Sequence, residues 1–221
     1  MGIDQPRPYL VRGTEPCDRR GVYLIGEGGC RSMASVRLRR TRDAECDDPH
    51  VTRSSRLVLC PMVPRDRDDF MRTIDGEVVR WQGWTDSSVK AFKLTFARTV
   101  RWNVRTGCPR QLGVFDCLTD RVIGQYMLNP PVTDGPVRRY EIGWWLGPGG
   151  RGRGLGQESL RMALTYFHDH PGLETIEMGT SWNNERAIRQ IEACGAMRVR
   201  TGLKTLPNGT EVEGVWFTHD G

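Results

Sequence analysis

The sequence has no long apolar run, no paired cysteine motif and very few lysines. Its 221 residues include no stretch near the roughly 18–20 apolar residues of a membrane helix, so we expect no membrane span. The first residues lack the apolar core of a secretory signal peptide, and we therefore expect a cytoplasmic protein. The seven cysteines form no C-x-x-C pair, which favours reduced thiols over a zinc ribbon or a disulfide framework, and we expect no metal site.

Arginine carries almost all of the positive charge. The chain has 29 arginines and 3 lysines, which we attribute mainly to coding bias, against 27 acidic residues. The resulting net charge of +5 suits an anionic ligand but does not require nucleic acid, and we expect no nucleic-acid partner. Hydrophobic residues make up 38% of the chain, which is enough for one buried core.

Residues 1–53 differ in composition from the rest of the chain. They contain ten arginines, eight acidic residues and three cysteines, and no helical or strand periodicity lasts long enough to build a core. We therefore expect an arginine-rich N-terminal extension at 1–53, poorly ordered or loosely docked, and a folded domain at 54–219. The alternative for 1–53 is an arm that binds a partner.

From residue 54 onward, the hydrophobic pattern predicts a mixture of strands and helices. Residues 85–107 carry apolar side chains at helical spacing and end at Gly107, a suitable C-terminal helix residue. The mixed order indicates an α+β domain with one mixed sheet. The predicted strands are 56–62, 111–117, 121–128, 139–146, 173–181, 197–203 and 211–218, and the predicted helices are 66–74, 85–107, 157–168 and 184–195.

A glycine-rich loop, GPGGRGRGLG at 147–156, lies between a predicted strand and a predicted helix. Glycines allow the backbone to approach a ligand closely, and the N-terminus of the following helix presents free N–H groups to an anion. Arg151 and Arg153 add charge-assisted hydrogen-bond donors. These features favour a phosphorylated ligand, and a diphosphate in particular.

Glycine-rich loops also bind nucleoside triphosphates, dinucleotides and RNA. A P-loop requires Gly-Lys followed by Ser or Thr, and the sequence has no Gly-Lys, which excludes a P-loop NTPase. Gly147, Gly149 and Gly152 have the spacing of a dinucleotide fingerprint, but this register would place three glycines inside the helix. An Arg-Gly tract that binds RNA is a further alternative.

The loop and its flanks resemble the GNAT acyl-CoA-dependent N-acetyltransferases. Arg151-Gly-Arg-Gly-Leu-Gly156 matches the signature Q/R-x-x-G-x-G/A of that family, and the preceding Tyr140-Glu-Ile-Gly-Trp-Trp-Leu is similar to its RimJ/RimL-like branch. Asn184-Glu-Arg-Ala-Ile, which leads to Cys194-Gly195, resembles a helix of the same branch. The resemblance implies the GNAT fold, with a central mixed, mostly antiparallel sheet flanked by helices. It also implies transfer of an acetyl group from acetyl-CoA to a primary amine, by direct attack in a ternary complex.

The resemblance also implies roles for individual residues. Glu141 would accept the amine proton; the alternative is a solvated carboxylate or one paired with Arg138 or Arg139. Asn184 would contact the pantetheine arm, whereas a helix N-cap is the structural alternative. The remaining assignments are the strand amides of Trp144, Trp145 and Leu146 for the pantetheine and thioester, the loop residues Arg151, Gly152, Arg153, Gly154, Leu155 and Gly156 for the pyrophosphate, and Trp81 and Trp84 for the acceptor pocket.

The sequence leaves alternatives for the general acid, for the acceptor and for the activity as a whole. Ile191 stands where many GNAT enzymes have a tyrosine general acid, and Ser181, Cys194 and Tyr126 are the alternatives. The acceptor is a protein N-terminal α-amine or a small-molecule amine, and a homodimer is compatible with the family. A competing hypothesis is a catalytically silent acyl-CoA-binding or regulatory module. A third hypothesis is nucleic-acid binding through residues 1–53.

Overall fold

The fold consists of one sheet with helices on both faces. The computed structural model describes residues 50–106, 110–129, 131–134, 137–169 and 173–221, so Gly107 and most of the predicted extension lie outside the described residues. The strands are β1 Thr52–Arg53, β2 Leu57–Cys60, β3 Gln111–Asp116, β4 Arg121–Leu128, β5 Val132–Asp134, β6 Val137–Leu146, β7 Thr175–Ser181, β8 Met197–Thr205 and β9 Glu211–Asp220. The helices are α1 Arg67–Arg72, α2 Gly76–Gln82, α3 Asp86–Thr106, α4 Leu155–Asp169 and α5 Glu185–Glu192.

The sheet is mixed but mostly antiparallel, which confirms the predicted α+β class. Its strands follow the order β1-β2-β3-β4-β6-β7-β9-β8, and β5 pairs with the beginning of β6. The pairing of β6 with β7 is the one parallel pairing among the described strands. The connection from β6 to β7 runs through the glycine loop and α4, as a parallel pair requires.

Each face of the sheet has its own apolar cluster. On one face, α4 and α5 cover inward side chains of β2, β3, β4, β6, β7 and β9. On the other face, α1, α2 and α3 cover β2, β3, β4 and the tryptophan Trp145 of β6. Because side chains alternate along a strand, β6 contributes Ile142 to the first cluster and Trp145 to the second. The sheet is therefore buried on both sides at the point where β6 ends.

The longer helices confirm the predicted periodicity. Leu160 and Phe167 of α4 are fully buried, and so is Ile191 of α5. Thr85 and Ser88 exchange hydrogen bonds at the start of α3, where each side chain accepts from the other residue's backbone N–H. Among the described helices, none combines the length and the apolar character that crossing a bilayer requires.

One short helix, two short strands and a 3₁₀ turn at Pro148–Gly150 were not predicted. The helix α2 begins after Asp75, whose side chain accepts a hydrogen bond from Val78 N, and it ends at Gly83 in the left-handed region (φ 61°). Both are standard helix-end signals, but the helix has only seven residues. The two strands are β5 and β1, and β1 lies at 52–53, before residue 54 where the predicted domain starts. Around Asp66, the predicted helix is a 3₁₀ turn that leads into α1.

Phe70 of α1 connects the helices to the sheet, which generates a stability prediction. Its ring is fully buried and lies 5.1 Å from Phe96 and 5.8 Å from Trp145, measured between ring centroids. We expect Phe70→Ala to lower the free energy of unfolding by about 3–5 kcal/mol, since it leaves a cavity between these rings. Leu118→Ala, at a side chain that is 86% exposed, is the control for urea denaturation. Equal losses in the two variants would contradict this packing.

Candidate active site

An opening in the sheet lies between the ends of β6 and β7. The two strands pair only at Tyr140↔Ile176 and Glu141↔Glu177, although β6 continues to Leu146 and β7 to Ser181. Beyond this last pair, β6 stays paired with β4 and β7 stays paired with β9. The two halves of the sheet therefore part after Glu141 and Glu177.

Hydrogen bonding to β4 decides which backbone groups of β6 face this opening. Asn129 N donates to Glu141 O, and Gly147 N donates to Ile123 O, so Glu141 and Gly147 direct their backbone groups toward β4. Because this direction alternates along a strand, Trp144 and Leu146 direct theirs toward the opening. Trp145, the third predicted amide, pairs with Gln125 and directs its N–H toward β4 instead. Two carbonyls confirm the alternation: Trp144 O accepts from Gln82 Nε2 at 3.0 Å, and Leu146 O accepts from Arg151 Nε at 2.8 Å.

The side chains of this strand segment are fixed on both faces. The Trp144 ring stacks on Tyr126, with centroids 6.2 Å apart, and the Trp145 indole Nε1 donates to Thr73 Oγ1 at 2.9 Å. Leu146 is half-buried against the cluster under α4. The packing therefore holds the N–H groups of Trp144 and Leu146 in place at the edge of the opening. Fixed N–H groups of this kind are what hydrogen bonding to a pantetheine arm would require.

The glycine loop has a backbone that other residues adopt only with strain. Gly152 and Gly154 have φ of 72° and 69°, and a Cβ atom at either position would meet no atom within 4 Å. The constraint is therefore conformational, and the space beside both residues is open. Gly156 differs, because a Cβ there would clash with the side-chain amide of Gln190 of α5. Gly156 and the buried Leu155 thus serve the packing of α4.

Two N–H groups of the loop point away from Arg56, which binds the loop's carbonyl groups. Arg56 donates from Nη1 to Arg153 O at 3.3 Å and from Nη2 to Gly154 O at 3.5 Å. In a trans peptide, the C=O and the following N–H point in opposite directions, so the N–H groups of Gly154 and Leu155 point away from Arg56. Successive N–H groups in a turn form a concavity that suits an anion, and the N-terminus of α4 adds its dipole.

The two loop arginines are bound to acidic side chains. Arg151 donates to both carboxylate oxygens of Asp75 at 2.8 Å and to Glu77 Oε2 at 2.9 Å. Arg153 donates to the buried Asp116. Their side chains therefore support the loop, and its N–H groups are what it offers to a ligand. Glu77 also pairs with Arg186 of α5 at 3.2 Å, which connects the first turns of α2 and α5.

These ion pairs shift the acidities of the carboxyl groups. The hydrogen bonds from Arg151 lower the pKa of Asp75 to about 2, against an opposing contribution from burial. Burial is the largest influence on Asp116 and raises its pKa, but hydrogen bonds from Arg153 and from the Leu118 and Thr119 backbone outweigh it, so that the pKa lies below its ordinary value. Both carboxylates are thus stabilised as anions.

Glu141 lies at the narrow end of the opening, in an ion pair that was not predicted. Its Oε1 is 3.4 Å from Lys204 Nζ of β8, and the same ammonium donates to Gly179 O of β7 at 3.0 Å. On the neighbouring strand, Glu177 pairs with Arg200 at 2.7 Å. The predicted alternatives were Arg138 and Arg139, but the partner is a lysine that is distant in sequence. Nothing in the local pattern around Lys204 indicates this contact.

Asn184 is the N-cap of α5. Its Oδ1 accepts from Ala187 N at 3.3 Å, and its Nδ2 donates to Thr180 Oγ1 at 3.2 Å. This is the structural alternative stated for Asn184 above. Asn184 is half-buried and lies beyond the end of β7. Its contact with a pantetheine arm stays a prediction.

The two predicted acceptor tryptophans lie in different environments. Trp84 packs against Phe92 and Trp145, with ring centroids at 4.5 and 5.1 Å, so it belongs to the apolar cluster under α3. Trp81 is half-buried on α2, with the guanidinium of Arg80 over its ring at 4.5 Å. The side chain of α2 that contacts the opening is Gln82, through the Trp144 carbonyl. Sequence reasoning missed it together with α2.

Two of the candidate general acids have raised pKa values. Tyr126 is fully buried, hydrogen-bonds to Ser159 Oγ at 2.9 Å, and has its pKa raised by burial. Burial also raises the pKa of the Cys194 thiol. Ser181 is buried at the end of β7. Among the described residues, no group of three or more His, Cys, Asp or Glu side chains is placed to hold a metal ion.

Comparison with known families matches this arrangement. The model of the acetyltransferase (GNAT) domain matches residues 56–197, which include β2, the glycine loop and both strands of the opening. The chain belongs to the GNAT acetyltransferase family. The resemblance stated from the sequence is therefore confirmed. The GNAT match ends at the first residue of β8, so Lys204 lies outside it.

Individual relatives agree with this family. The probable N-acetyltransferase YjcK of Bacillus subtilis (strain 168) is 27% identical over 107 residues, which are 48% of this chain and 56% of YjcK. The chain thus spans little more than half the length of this relative.

Solved structures share the fold. The ribosomal-protein-S5-alanine acetyltransferase of Vibrio fischeri superposes with a TM-score of 0.65 at 14% identity, covering 77% of this chain and 96% of that one. RimJ of Mycobacterium smegmatis, solved in complex with CoA-disulfide, gives a TM-score of 0.60 at 21% identity, covering 75% and 82%. At these identities, the likeness establishes the GNAT fold.

The left-handed glycines of the GNAT loop give a second prediction. Gly154→Ala should lower the free energy of unfolding by about 1–2 kcal/mol, because alanine is strained at this φ although its Cβ meets no neighbour. Gly154→Asn should lose less, since asparagine tolerates the left-handed region. Gly149→Ala is the matched control, because its Cβ would make an ordinary 3.5 Å contact with Ile123. Equal losses at positions 149 and 154 in urea denaturation would contradict the conformational explanation.

The Arg151–Asp75 pair gives a prediction about pH. The folded-state pKa of Asp75 is about 2, below its ordinary 3.8, so the pair contributes its full stability above the ordinary value and loses it as pH falls toward 2. The stability deficit of Arg151→Gln should therefore be constant at neutral pH and shrink between about pH 5 and pH 2. Arg189→Gln, which removes the exposed pair with Glu185, is the control. A deficit of Arg151→Gln that does not vary with pH would contradict this account.

Proposed function

We propose that the protein is an acyl-CoA-dependent N-acetyltransferase that transfers the acetyl group of acetyl-CoA to a primary amine by direct attack in a ternary complex. The observation that carries this proposal is the opening between β6 and β7, with the glycine loop at its wide end and Glu141 at its narrow end. A thioester with a diphosphate at the other end of its chain is a substrate of matching chemistry. The GNAT membership supports the same donor.

The donor would be held mainly by backbone groups. The N–H groups of Trp144 and Leu146 would hold the pantetheine and the thioester carbonyl, and the amides of Gly154 and Leu155 the pyrophosphate, with the dipole of α4 behind them. Arg151 and Arg153 act indirectly, because they hold the loop through Asp75 and Asp116. The glycines at 152 and 154 leave free the space that an anion would fill.

Glu141 and the Gly179 carbonyl form the amine side of the proposed site. Both already contact an ammonium group, that of Lys204, so their geometry suits a primary amine. Glu141 accepts the proton that the ammonium must lose before its nitrogen attacks, and it takes up this proton directly or through water. The sulfur leaves as a thiolate, for which solvent can supply the proton. The Trp144 and Leu146 amides stabilise the negative charge that develops on the carbonyl oxygen.

The acceptor remains a choice between two classes of amine. A protein N-terminal α-amine is the first choice, in line with the names of the ribosomal-protein acetyltransferases that share the fold. A small-molecule amine is the second choice. Trp81, half-buried on α2, stays a candidate for the acceptor pocket. Trp84 would contribute indirectly, because it packs against Trp145 and helps to fix β6. A cytoplasmic location and a homodimer also stay predictions.

Glu141→Gln separates donor binding from turnover. We expect acetyl-CoA at roughly 100 times its dissociation constant to add about 2.7 kcal/mol of stability in both the unmodified protein and the variant. Turnover of a panel of peptides and small amines should fall by at least about 100-fold in Glu141→Gln, because the base is lost. The measurements are thermal unfolding with acetyl-CoA, CoA or NAD, and release of free thiol.

Glu177→Gln is the matched control for this test. Glu177 is also ion-paired, lies on the adjacent strand and faces the same side of the sheet, but contacts Arg200 instead of Lys204. Its substitution should reduce turnover far less than that of Glu141. Equal losses would contradict a base role for Glu141, and stabilisation by acetyl-CoA without turnover of any amine would favour the silent acyl-CoA-binding module. Absence of stabilisation by either CoA species would overturn the proposal.

A further inference from the structure

The ammonium of Lys204 occupies the place that the proposed mechanism gives to the acceptor amine. Its Nζ contacts Glu141 Oε1 and Gly179 O, which are the proposed base and a carbonyl of β7 just beyond the last β6–β7 pair. Lys204 belongs to β8, and Glu141 to β6, with β7 and β9 between them in the sheet. The two side chains therefore reach across β7 and β9 to meet at the narrow end of the opening.

The sheet is shaped to receive this long side chain. A Cβ atom at Gly179 would lie 2.9 Å from Lys204 Nζ and 2.7 Å from the indole nitrogen of Trp216. A Cβ atom at Gly214 would lie 2.9 Å from Lys204 Cβ and 2.7 Å from the Trp216 ring. The absence of side chains at these two glycines thus leaves a slot in which Trp216 lies flat and Lys204 reaches the opening. The side chain of Lys204 is 22% exposed, so its amine is neither free in solvent nor sealed in the core.

The chemistry of the side chain at position 204 also stands out. The chain has only three lysines, and the other two, Lys90 and Lys93, lie on exposed positions of α3. The neighbouring ion pair of the same sheet face uses Arg200, whose guanidinium lies over Trp216 at 3.7 Å. An arginine stays protonated and is no nucleophile, whereas a lysine amine becomes one once it loses a proton. The cation that contacts Glu141 is thus the one able to react.

We propose that the enzyme acetylates its own Lys204. This inference rests on the proposed function, because an acyl-CoA thioester supplies the acetyl group. Glu141 takes a proton from the Lys204 ammonium, and the neutral amine attacks the thioester carbonyl. The new N–C bond forms as the C–S bond breaks, the sulfur leaves with the bonding electrons and takes up a proton from solvent, and the second amine proton passes to solvent, as does the proton held by Glu141. The products are an amide at Lys204 and free CoA, with no change of oxidation state.

Acetylation would alter the amine site itself. The amide of acetyl-lysine carries no charge, so the ion pair with Glu141 would end and the carboxylate would become available to another ammonium. The first turnover would thereby remove the charge with which Lys204 holds Glu141.

Site-resolved mass spectrometry tests the proposal. The full chain, prepared without acetyl-CoA, is incubated with isotope-labelled acetyl-CoA and digested, and the labelled fraction at each lysine is compared. We expect Lys204 to be labelled at least about tenfold faster than Lys90 or Lys93, which report non-enzymatic acylation at exposed amines. The rate should not change when the protein is diluted, because the acceptor belongs to the same molecule. Glu141→Gln should slow labelling at Lys204 alone, and Lys204→Arg should leave only the slow labelling of the other two.

A measurement that does not depend on catalysis accompanies this test. Acetic anhydride in trace amounts labels free amines, and we expect CoA to protect Lys204 but not Lys90 or Lys93, because CoA and Lys204 meet at the same opening. Thermal unfolding with acetyl-CoA and peptide turnover are recorded on the same sample. Stabilisation and peptide turnover with no preference for Lys204 would overturn self-acetylation but leave the acetyltransferase assignment intact. No stabilisation by CoA would overturn both.

Discussion

The parting of β6 from β7 is the constraint on which the rest of the site depends. A strand that left its neighbour without other support would fray, but β6 keeps its pairing with β4, and β7 keeps its pairing with β9. Trp144 and Trp145 then anchor β6 on opposite faces of the sheet. Backbone groups can therefore point into an opening without the sheet losing its order, which is the condition for using main-chain amides as binding groups.

The glycine loop depends on elements that are remote in sequence. Arg151 connects it to the start of α2, Arg153 to the end of β3, and Arg56 holds two of its carbonyls. These contacts orient the loop before any ligand arrives, so less conformational entropy is lost when one binds. Arg151, the first residue of the family signature in this chain, supports the loop through Asp75 and Glu77.

Local patterns were sufficient to predict the sheet class, the long helices and the loop. The stripe that includes Leu160 and Phe167 and the Gly152–Gly154 spacing are both local signals, and the structure has each in the expected place. The partners of Glu141, Arg151 and Arg153 were not predictable, because Lys204, Asp75 and Asp116 are brought to them only by strand order. Asn184 shows the same limit, since an N-cap and a ligand contact require the same residue type.

The pairing of both loop arginines has a consequence for the kinetics of binding. A positive charge whose field is cancelled by a nearby carboxylate attracts an anion only at short range, whereas unpaired charges steer a ligand from beyond a Debye length of about 8 Å. Arg151 and Arg153 each lie against an acid, so in the proposed site the loop would attract phosphate through oriented dipoles that act at contact. We therefore expect the loop to bind a phosphate only at short range and to add little to the dependence of the association rate on ionic strength.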